Sequence, residues 1–437
     1  MREQLRRWAR WLRPGLGLKR WALLLAAGVF MAGVGMAVVA DLGPVATLRG
    51  LLVELVLRLL PLRGASASLA AGLLLVAIGG LLVLVGLRAT LRSVDRVLFP
   101  TGHPTLVEVL RQQRPLVRGP KIVALGGGTG LSTLLRGLKR HSTNITAIVT
   151  VFDDGGSSGR LRRDLGVLPP GDLRDCLVAL AEAEPLMTRL FQYRFPGGAF
   201  DGHAFGNLFI ASLAGVTGDL EEAIKETSKV LNIRGRVLPA TLRDVVLCAE
   251  YEDGSIVAGE SQIPLARRRI RRVFLQPAEV PALPEVLAAI AEADLIVIGP
   301  GSLYTSVIPN LLVRGVAEAV RRAASPRIYV CNVMTQPGET DGYTASDHVR
   351  ALLAAAGPGL VTHVLVNTQA PRNAHLLRRY AAEGALPVQA DLARLRGLGI
   401  EVVGEALMNE EELLRHDPAR LAAAVMRLVP AAPRARV

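Results

Sequence analysis

Two uncharged apolar runs near the N-terminus constrain the fold of this chain most strongly. Residues 21–40 and 68–87 contain no Asp, Glu, Lys or Arg. At a rise of about 1.5 Å per residue, a helix of this length crosses the ~30 Å hydrocarbon core of a bilayer. We therefore predict a membrane anchor over residues 1–98, with two transmembrane helices at about 21–40 and 68–87.

Basic residues lie on the outer flanks of these two runs. Seven Lys/Arg precede the first run, and Arg88, Arg92 and Arg96 follow the second. Segments rich in Lys and Arg stay in the cytoplasm, so we expect a multi-pass cell-membrane protein with both termini and the main domain cytoplasmic. The alternatives are a signal peptide cleaved after Ala40 and a soluble helical hairpin. A second long run argues against the signal peptide.

The net charge of +13 belongs mostly to this anchor. Residues 1–120 hold 16 basic and 5 acidic residues, which leaves 35 basic and 33 acidic residues in the remainder. A nucleic-acid-binding domain carries its own basic face, so we expect no nucleic-acid partner, and the charge suits a membrane surface instead. Cys176, Cys248 and Cys331 are far apart and indicate neither a disulfide framework nor a metal site.

A proline-containing linker, residues 99–120, precedes the predicted α/β domain at 121–437. The apolar run 121–125, a glycine loop, a helical pattern at 131–139 and a second run at 145–151 are typical of the first half of a dinucleotide-binding fold. Later runs alternate in the same way, which predicts a Rossmann-like three-layer sandwich with a mostly parallel sheet. Further strands are predicted at 294–298, 327–333, 361–367 and 400–403, helices at 282–291, 312–324 and 372–382, and a hairpin at 245–251 and 255–258.

The first glycine loop is the clearest candidate ligand site. Glycines allow close backbone approach, and the unpaired N–H groups at a helix start attract phosphate. A tight turn that needs glycine only for packing is the alternative. The candidate residues of this loop are Gly126, Gly127, Gly128, Thr129 and Gly130.

A second polar loop follows the second predicted strand, where ligands of open α/β sheets bind. Its paired aspartates suit sugar hydroxyls, a cation or general-base chemistry, and its arginine suits a phosphate. A solvated turn is the alternative. The candidate residues are Asp153, Asp154, Gly155, Gly156, Ser157, Ser158 and Arg160.

Other polar loops indicate the same edge of the sheet. Asp172 suits either an N-cap or a ligand contact, and His203 lacks neighbours for a metal site. The basic run 267–272 is either a solvated face or a contact to anionic lipid or an acidic ligand. The remaining candidates from these loops are Asn207, Gly301, Ser302, Tyr304 and Asn332.

Six motifs together resemble the YvcK-type gluconeogenesis factor family, within the superfamily that includes the CofD-like 2-phospho-L-lactate transferases. They are GGGTG from Gly126, DDGGSSGRLR from Asp153, GDLRD from Gly171, GHAFGNL from Gly202, GPGSLYTSVIPN from Gly299 and CNVMTQPGETDGY from Cys331. The resemblance covers residues 121 to about 425. The membrane hairpin lies outside it, since typical members are soluble.

The resemblance implies a regulatory protein that binds a nucleotide sugar of the UDP-N-acetylglucosamine type and is linked to cell shape and cell-wall precursor supply. By the same likeness, Tyr380 would contact the base and Arg415 the diphosphate. The alternative is a phospholactate transferase with Asp153 and Asp154 on the acceptor side and Mg²⁺ as cofactor, although GGSSGRLR matches the regulatory branch. We expect no other cofactor, a homo-oligomer, and cell-wall synthesis proteins as partners.

Overall fold

The computed structural model describes residues 18–40, 54, 65–98, 116–182 and 185–430. The chain divides into two compact units, residues 1–113 and 114–437. The predicted linker at 99–120 and the segment between the two apolar runs lie largely outside the described residues. The domain boundaries stay predictions.

The first unit contains two long helices, α1 (Leu18–Val39) and α2 (Ala65–Leu98). Residues 21–39 and 72–90 have mean hydropathies of 2.4 and 2.3, and only 17% of each window is buried. Leu23 and Phe30, for example, are 71% and 75% exposed. Both helices are thus long and apolar enough to cross a membrane, where the sequence predicted the two spans.

Glycines bring these two helices into close contact. A Cβ atom on Gly28 would lie 2.8 Å from the Gly79 carbonyl oxygen, and one on Gly35 would lie 2.8 Å from that of Gly72. Gly86 continues the series seven residues after Gly79 and approaches the Leu25 backbone. Small residues at regular spacing let apolar helices pack backbone to backbone. The pairing order makes the two helices antiparallel, as a hairpin requires.

The second unit is built on a seven-stranded parallel sheet. Its strands are β1 (Ile122–Gly126), β2 (Ile145–Val149), β3 (Arg236–Pro239), β7 (Leu295–Ile298), β8 (Arg327–Val330), β9 (His363–Asn367) and β10 (Glu401–Glu405). They lie in the order β10-β9-β8-β7-β1-β2-β3. An antiparallel sheet, β5-β4-β6, is inserted as β4 (Val246–Tyr251), β5 (Ile256–Ala258) and β6 (Ile270–Gln276), and β11 (Met408–Asn409) pairs with β12 (Arg415–His416).

Helices flank this sheet and connect its strands. Their bounds are α3 (Gly128–Leu138), α4 (Gly156–Leu165), α5 (Gly171–Leu180), α6 (Pro185–Gln192), α7 (Phe205–Thr217), α8 (Leu220–Val230), α9 (Pro284–Ala291), α10 (Ile308–Leu312), α11 (Val316–Arg322), α12 (Ala345–Ala356), α13 (Ala374–Ala382), α14 (Leu392–Arg396) and α15 (Pro418–Met426). A π-helical turn, Leu303–Val307, precedes α10. Because parallel strands are joined by right-handed crossovers, the connections that run in opposite directions from β1 are expected to place helices on both faces.

The predicted α/β class and mostly parallel sheet are confirmed, with local corrections. The helix predicted at 312–324 is confirmed only over Val316–Arg322, because the chain turns at Gly315, whose φ of +93° is unfavourable for other residues. Strands β3 and β6 were not predicted.

The strand order fixes where a ligand can bind. From β1 the chain adds β2 and β3 on one side, and it then returns to β7 on the other side and continues outward to β10. Direction therefore reverses between β1 and β7. In open parallel sheets the crevice beyond the carboxyl ends of the strands at such a reversal is the usual ligand site.

Candidate functional site

A cleft of about 590 Å³ lies beyond the carboxyl ends of β1, β2, β7 and β8. Both glycine-rich loops, after β1 and after β7, form its floor. The predicted site residues that line it are Gly127, Gly128, Thr129, Gly130, Asp153, Gly301, Ser302, Asn332, Tyr380 and Arg415.

Asp172 holds the first glycine loop in place. Its carboxylate accepts hydrogen bonds from Thr150 Oγ1 at 2.9 Å and from the Gly128 backbone N–H. A Cβ atom on Gly127 would lie 2.3 Å from Asp172 Oδ2, so only glycine fits there. Helix α3 begins at Gly128, and the first N–H groups of a helix lack partners within it. Thr129 and Gly130 therefore present a helix start to the cleft, which suits a phosphate.

The structure changes the expected role of Asp172. Helix α5 has Pro170 at its N-cap, and no side chain caps it there. Asp172 instead lies in the first turn of α5 and bonds to the glycine loop across the sheet edge. The predicted N-cap role is wrong, because burial beside Thr150 gives this carboxylate stronger partners than its own helix.

The second glycine loop is positioned by amide side chains from the loop after β8. Asn332 Nδ2 donates to the Gly301 carbonyl at 2.9 Å, and the Gly301 N–H donates to Asn332 Oδ1 at 3.3 Å. Gln336 Nε2 donates to Ser302 Oγ at 2.6 Å. The two loops nearly touch, since a Cβ atom on Gly130 would lie 2.6 Å from the Pro300 oxygen. Asn332 thus positions the second glycine loop, which forms part of the floor of the cleft.

The opposite wall of the cleft combines apolar and basic groups. Tyr380 is half-buried against a small cluster that includes Val333, Met334 and Leu414. Arg415 is exposed at the same wall, and Arg379 lies over the Tyr380 ring at 5.9 Å. An aromatic ring beside an arginine can hold a base and a phosphate together.

Several predicted residues have structural roles outside the cleft lining. Asp154 Oδ1 accepts from the Ser261 N–H at 2.8 Å and so anchors the inserted sheet. Ser157 and Asn207 bond to each other at 3.1 Å, and Asn207 also accepts from Arg174 at 2.8 Å. Their hydrogen-bonding groups are thus satisfied within the buried interior.

Arg160 and Tyr304 also differ from expectation. Arg160 Nη2 donates to the Asp201 carbonyl at 2.6 Å, and the Tyr304 hydroxyl lies 2.9 Å from that of Tyr343. Tyr304 is buried, so it packs rather than offering a surface for stacking. The other predicted residues outside the lining are Gly126, Gly155, Gly156 and Ser158.

Three carboxyl groups line one end of the cleft: Asp153, Asp172 and Glu260. Burial raises the pKa of Asp172 to about 7, and the nearby Asp153 adds to this rise. Burial also raises the pKa of Asp153, against hydrogen bonds from the Gly155 N–H and Ser158. The carboxyl groups at this end of the cleft are therefore partly protonated near neutral pH. Within the described parts of the chain, no three His, Cys, Asp or Glu side chains are grouped closely enough to hold a metal ion.

Sequence reasoning missed Glu260 because a single glutamate in a turn has no pattern. The inserted sheet delivers it to the cleft: Asp154 bonds to Ser261 on one side, and the Pro264 turn abuts Gly338 on the other. Burial raises the pKa of Glu260 to about 8, and Asp153 and Asp172 contribute to that rise.

We expect Glu260→Gln to stabilise the protein increasingly as the pH rises from 5 to 8. The folded wild type keeps its proton up to a pKa of about 8, whereas the unfolded chain releases it near 4.5. In the wild type, the stability that this protonated group contributes is fully present below pH 4.5 and is lost as the pH rises from 4.5 to about 8. The Gln side chain does not titrate, so the variant does not lose stability in this way. The difference should reach on the order of 4 kcal/mol at pH 8.

Urea unfolding at pH 5 and pH 8 measures this difference. The exposed Glu412→Gln is the matched control and should show no such trend. A difference between wild type and Glu260→Gln that is the same at both pH values would contradict the proposed protonation of Glu260.

The family model described as 2-phospho-L-lactate transferase CofD matches residues 122–408, which lie entirely in the second unit. A crystal structure of a Bacillus halodurans protein superposes on the chain with a TM-score of 0.69 at 51% identity. It covers 70% of this chain and 99% of that chain. An α/β unit of this kind therefore folds without the two-helix unit.

Curated relatives agree with this match. The "Gluconeogenesis factor" of Bacillus subtilis is 51% identical over 312 residues, 71% of this chain and 98% of that protein. The protein of the same name from Halalkalibacterium halodurans is 52% identical over 307 residues, 70% of this chain and 95% of that protein. A relative from Nostoc sp. is 51% identical over 433 residues, 97% of this chain and 93% of its own length. The chain therefore belongs to the CofD/YvcK family.

Proposed function

We propose that the α/β unit binds a nucleotide sugar of the UDP-N-acetylglucosamine type and acts as a regulatory protein. The observation that carries this proposal is the cleft at the β1–β7 reversal, with two glycine loops on its floor and Tyr380 beside Arg415 on its wall. A phosphate cradle beside an aromatic wall suits a ligand that carries both a diphosphate and a base.

In this proposal the diphosphate lies on the N–H groups of Thr129 and Gly130 and pairs with Arg415. The base lies against Tyr380, where Val333 and Met334 supply apolar contact. The sugar reaches the end of the cleft that holds the three carboxyl groups, where protonated Glu260 can donate a hydrogen bond to a hydroxyl group.

The names of the relatives support a role in metabolism rather than a fixed chemical step. The Bacillus subtilis and Halalkalibacterium halodurans proteins are called gluconeogenesis factors. We propose the same role for this chain, linked to cell shape and cell-wall precursor supply, with a second copy of the chain and cell-wall synthesis proteins as partners.

Isothermal titration of residues 114–437 with UDP-N-acetylglucosamine, UDP and GDP tests the proposal. We expect the UDP sugar to bind, and Arg415→Gln to weaken it at least tenfold, because charge-assisted pairing to phosphate is lost. Exposed Arg396→Gln, which removes the same charge away from the cleft lining, should bind normally. Absence of binding by any uridine nucleotide would end this proposal.

A second candidate function is a phospholactate-type transfer, favoured by the description of the matching family model. Asp153 would act on the acceptor side, and Asp153 and Asp172 together with donor phosphates could hold Mg²⁺. Incubation with a guanosine-diphospho-lactate donor, a deazaflavin acceptor and Mg²⁺ tests it. If the protein binds the nucleotide but forms no product, the transferase function is rejected and only the regulatory role remains.

We also propose that α1 and α2 anchor the chain in the cytoplasmic membrane with both ends in the cytoplasm. The three native cysteines are buried, so engineered cysteines report with little background. An impermeant thiol reagent added to intact cells should label Ala46→Cys, in the segment between the spans. It should not label Val216→Cys, which is 83% exposed on the α/β unit. Labelling of Val216→Cys would show that the orientation is wrong.

A further inference from the structure

The basic run 267–272 is divided by the structure into two parts. Arg271 and Arg272 lie on β6, and both pair with Glu250 of the neighbouring strand, at 2.9 and 2.6 Å. Residues 267–269 precede β6 and line a separate cavity of about 380 Å³. Only the first half of the run therefore lines a cavity, and its three arginines are exposed at the mouth of that cavity.

This cavity adjoins the main cleft, which is the cleft of about 590 Å³ described above, but it has its own walls. Its other walls are the loop from Pro337 to Tyr343 and the end of α13 at Glu383 and Gly384. Pro337 and Glu383 line both spaces, so they form the partition between them. Neither glycine loop reaches the second cavity.

The carboxylates of this cavity are largely engaged elsewhere. Glu339 is buried and accepts from Thr305 Oγ1 at 3.2 Å and from the Tyr304 N–H at 3.3 Å. Asp341 accepts from the Gly338 N–H at 2.7 Å. Both groups thus serve to fold the loop, and Glu383, the third carboxylate of the lining, lies 4.0 Å from Arg379.

Within the described part of the chain, two of the three arginines in the lining have no side-chain partner. Arg268 pairs with Asp253 at 3.0 Å. Among the residues that the structure describes, none forms a side-chain hydrogen bond or ion pair with the guanidinium of Arg267 or Arg269. Arg267 also has a φ of +47°, which is costly for a residue with a Cβ atom. This left-handed conformation ends the short helical turn Pro264–Ala266.

We propose that this cavity is a second anion-binding site, which takes a phosphate monoester between Arg267 and Arg269. Guanidinium groups bind phosphate oxygens in a bidentate manner, and two of them match its charge. The volume suits the phosphate and a small attached group. A soluble phosphorylated metabolite and the headgroup of phosphatidic acid share this chemistry. The site does not depend on which nucleotide binds the main cleft.

Titration of the full-length chain in phosphatidylcholine nanodiscs with inorganic phosphate at low salt tests the site. We expect Arg267→Gln/Arg269→Gln to weaken phosphate binding at least tenfold. Arg271→Gln/Arg272→Gln removes the same charge from the same run and should stay within twofold of wild type. Equal weakening in both variants would indicate bulk charge and overturn the proposal, as would no weakening in the first.

The main cleft can also attract phosphate, so the comparison is repeated with Arg415→Gln in every protein. The tenfold difference should persist, and its disappearance would assign the phosphate to the main cleft and overturn the proposal. UDP-N-acetylglucosamine titration of Arg267→Gln/Arg269→Gln reports on the main cleft separately. Failure of that ligand to bind both this variant and the wild type would therefore remove the proposed function without removing the second site.

Sedimentation of residues 114–437 with phosphatidylcholine vesicles containing phosphatidic acid separates the two sources. Sedimentation that Arg267→Gln/Arg269→Gln abolishes and Arg271→Gln/Arg272→Gln keeps would identify the lipid headgroup. Arginine-dependent phosphate binding without sedimentation would identify a soluble monoester. If phosphate binding does not depend on Arg267 and Arg269 and the vesicles do not sediment the protein, the proposal is overturned.

Discussion

Replacing Gly130 by alanine is expected to weaken nucleotide-sugar binding at least a hundredfold. The added Cβ atom would lie 2.6 Å from the Pro300 oxygen and 2.8 Å from the Gly301 N and Cα atoms. All three are backbone atoms, so no side chain can rotate away, and the two glycine loops must separate. A phosphate cradle that moves by about 1 Å loses the geometry of its charge-assisted hydrogen bonds.

Local helix preference does not offset this effect. Alanine in a helix is favoured over glycine by about 1 kcal/mol, so any gain in α3 opposes the loss, and binding rather than stability reports the clash. Gly215→Ala is the matched control, because Gly215 lies in α7 with no atom within 4 Å of its added Cβ. Titration calorimetry should give normal affinity for Gly215→Ala. Normal affinity for Gly130→Ala would show that the two loops do not need to touch.

The second large effect is expected at Gly338, which holds the inserted sheet against the domain. A Cβ atom there would lie 1.9 Å from the Pro264 oxygen, and the φ of Gly338 is +81°. Both the positive φ and the backbone contact oppose alanine. We expect Gly338→Ala to lower the free energy of unfolding by about 3 kcal/mol, measured in urea.

Gly342 separates the two causes. It lies in the same loop with a φ of +70°, but no atom is within 4 Å of its added Cβ. Gly342→Ala therefore carries the backbone strain alone and should cost about 1–2 kcal/mol. If the two variants lose the same stability, the contact with Pro264 does not fasten the inserted sheet.

The parallel sheet could be predicted because buried parallel strands are short, continuous apolar runs. β1 and β7 are such runs, and each leads directly into glycine. β3 escaped prediction because its four residues begin with arginine and end with proline. β6 was hidden because its first residues belong to a basic run, and only the folded insert shows that Arg271 and Arg272 pair across the sheet with Glu250.

The site was predicted best where the backbone itself makes the contact. The loop at Gly127–Gly130 was found because a cluster of glycines between a strand and a helix is typical of a backbone that approaches a phosphate. The roles of the side chains in the loop that begins at Asp153 were harder to predict, since the sequence cannot show which of two adjacent aspartates faces the cleft. Asp153 faces the cleft, whereas Asp154 reaches Ser261 in a segment 107 residues later. That choice depends on tertiary contacts that no local pattern encodes.

β1, an interior strand of the seven-stranded sheet, is also the first strand of this sheet that the ribosome releases. β1 can pair with β2 soon after synthesis, but its other edge waits for β7, where Ile122 pairs with Leu295. At ~5–20 residues per second this interval lasts on the order of 10–30 s. During it an apolar strand presents unpaired N–H and C=O groups, which another nascent chain can extend. The half-built sheet is therefore the stage most prone to aggregation, and it precedes the synthesis of the second glycine loop.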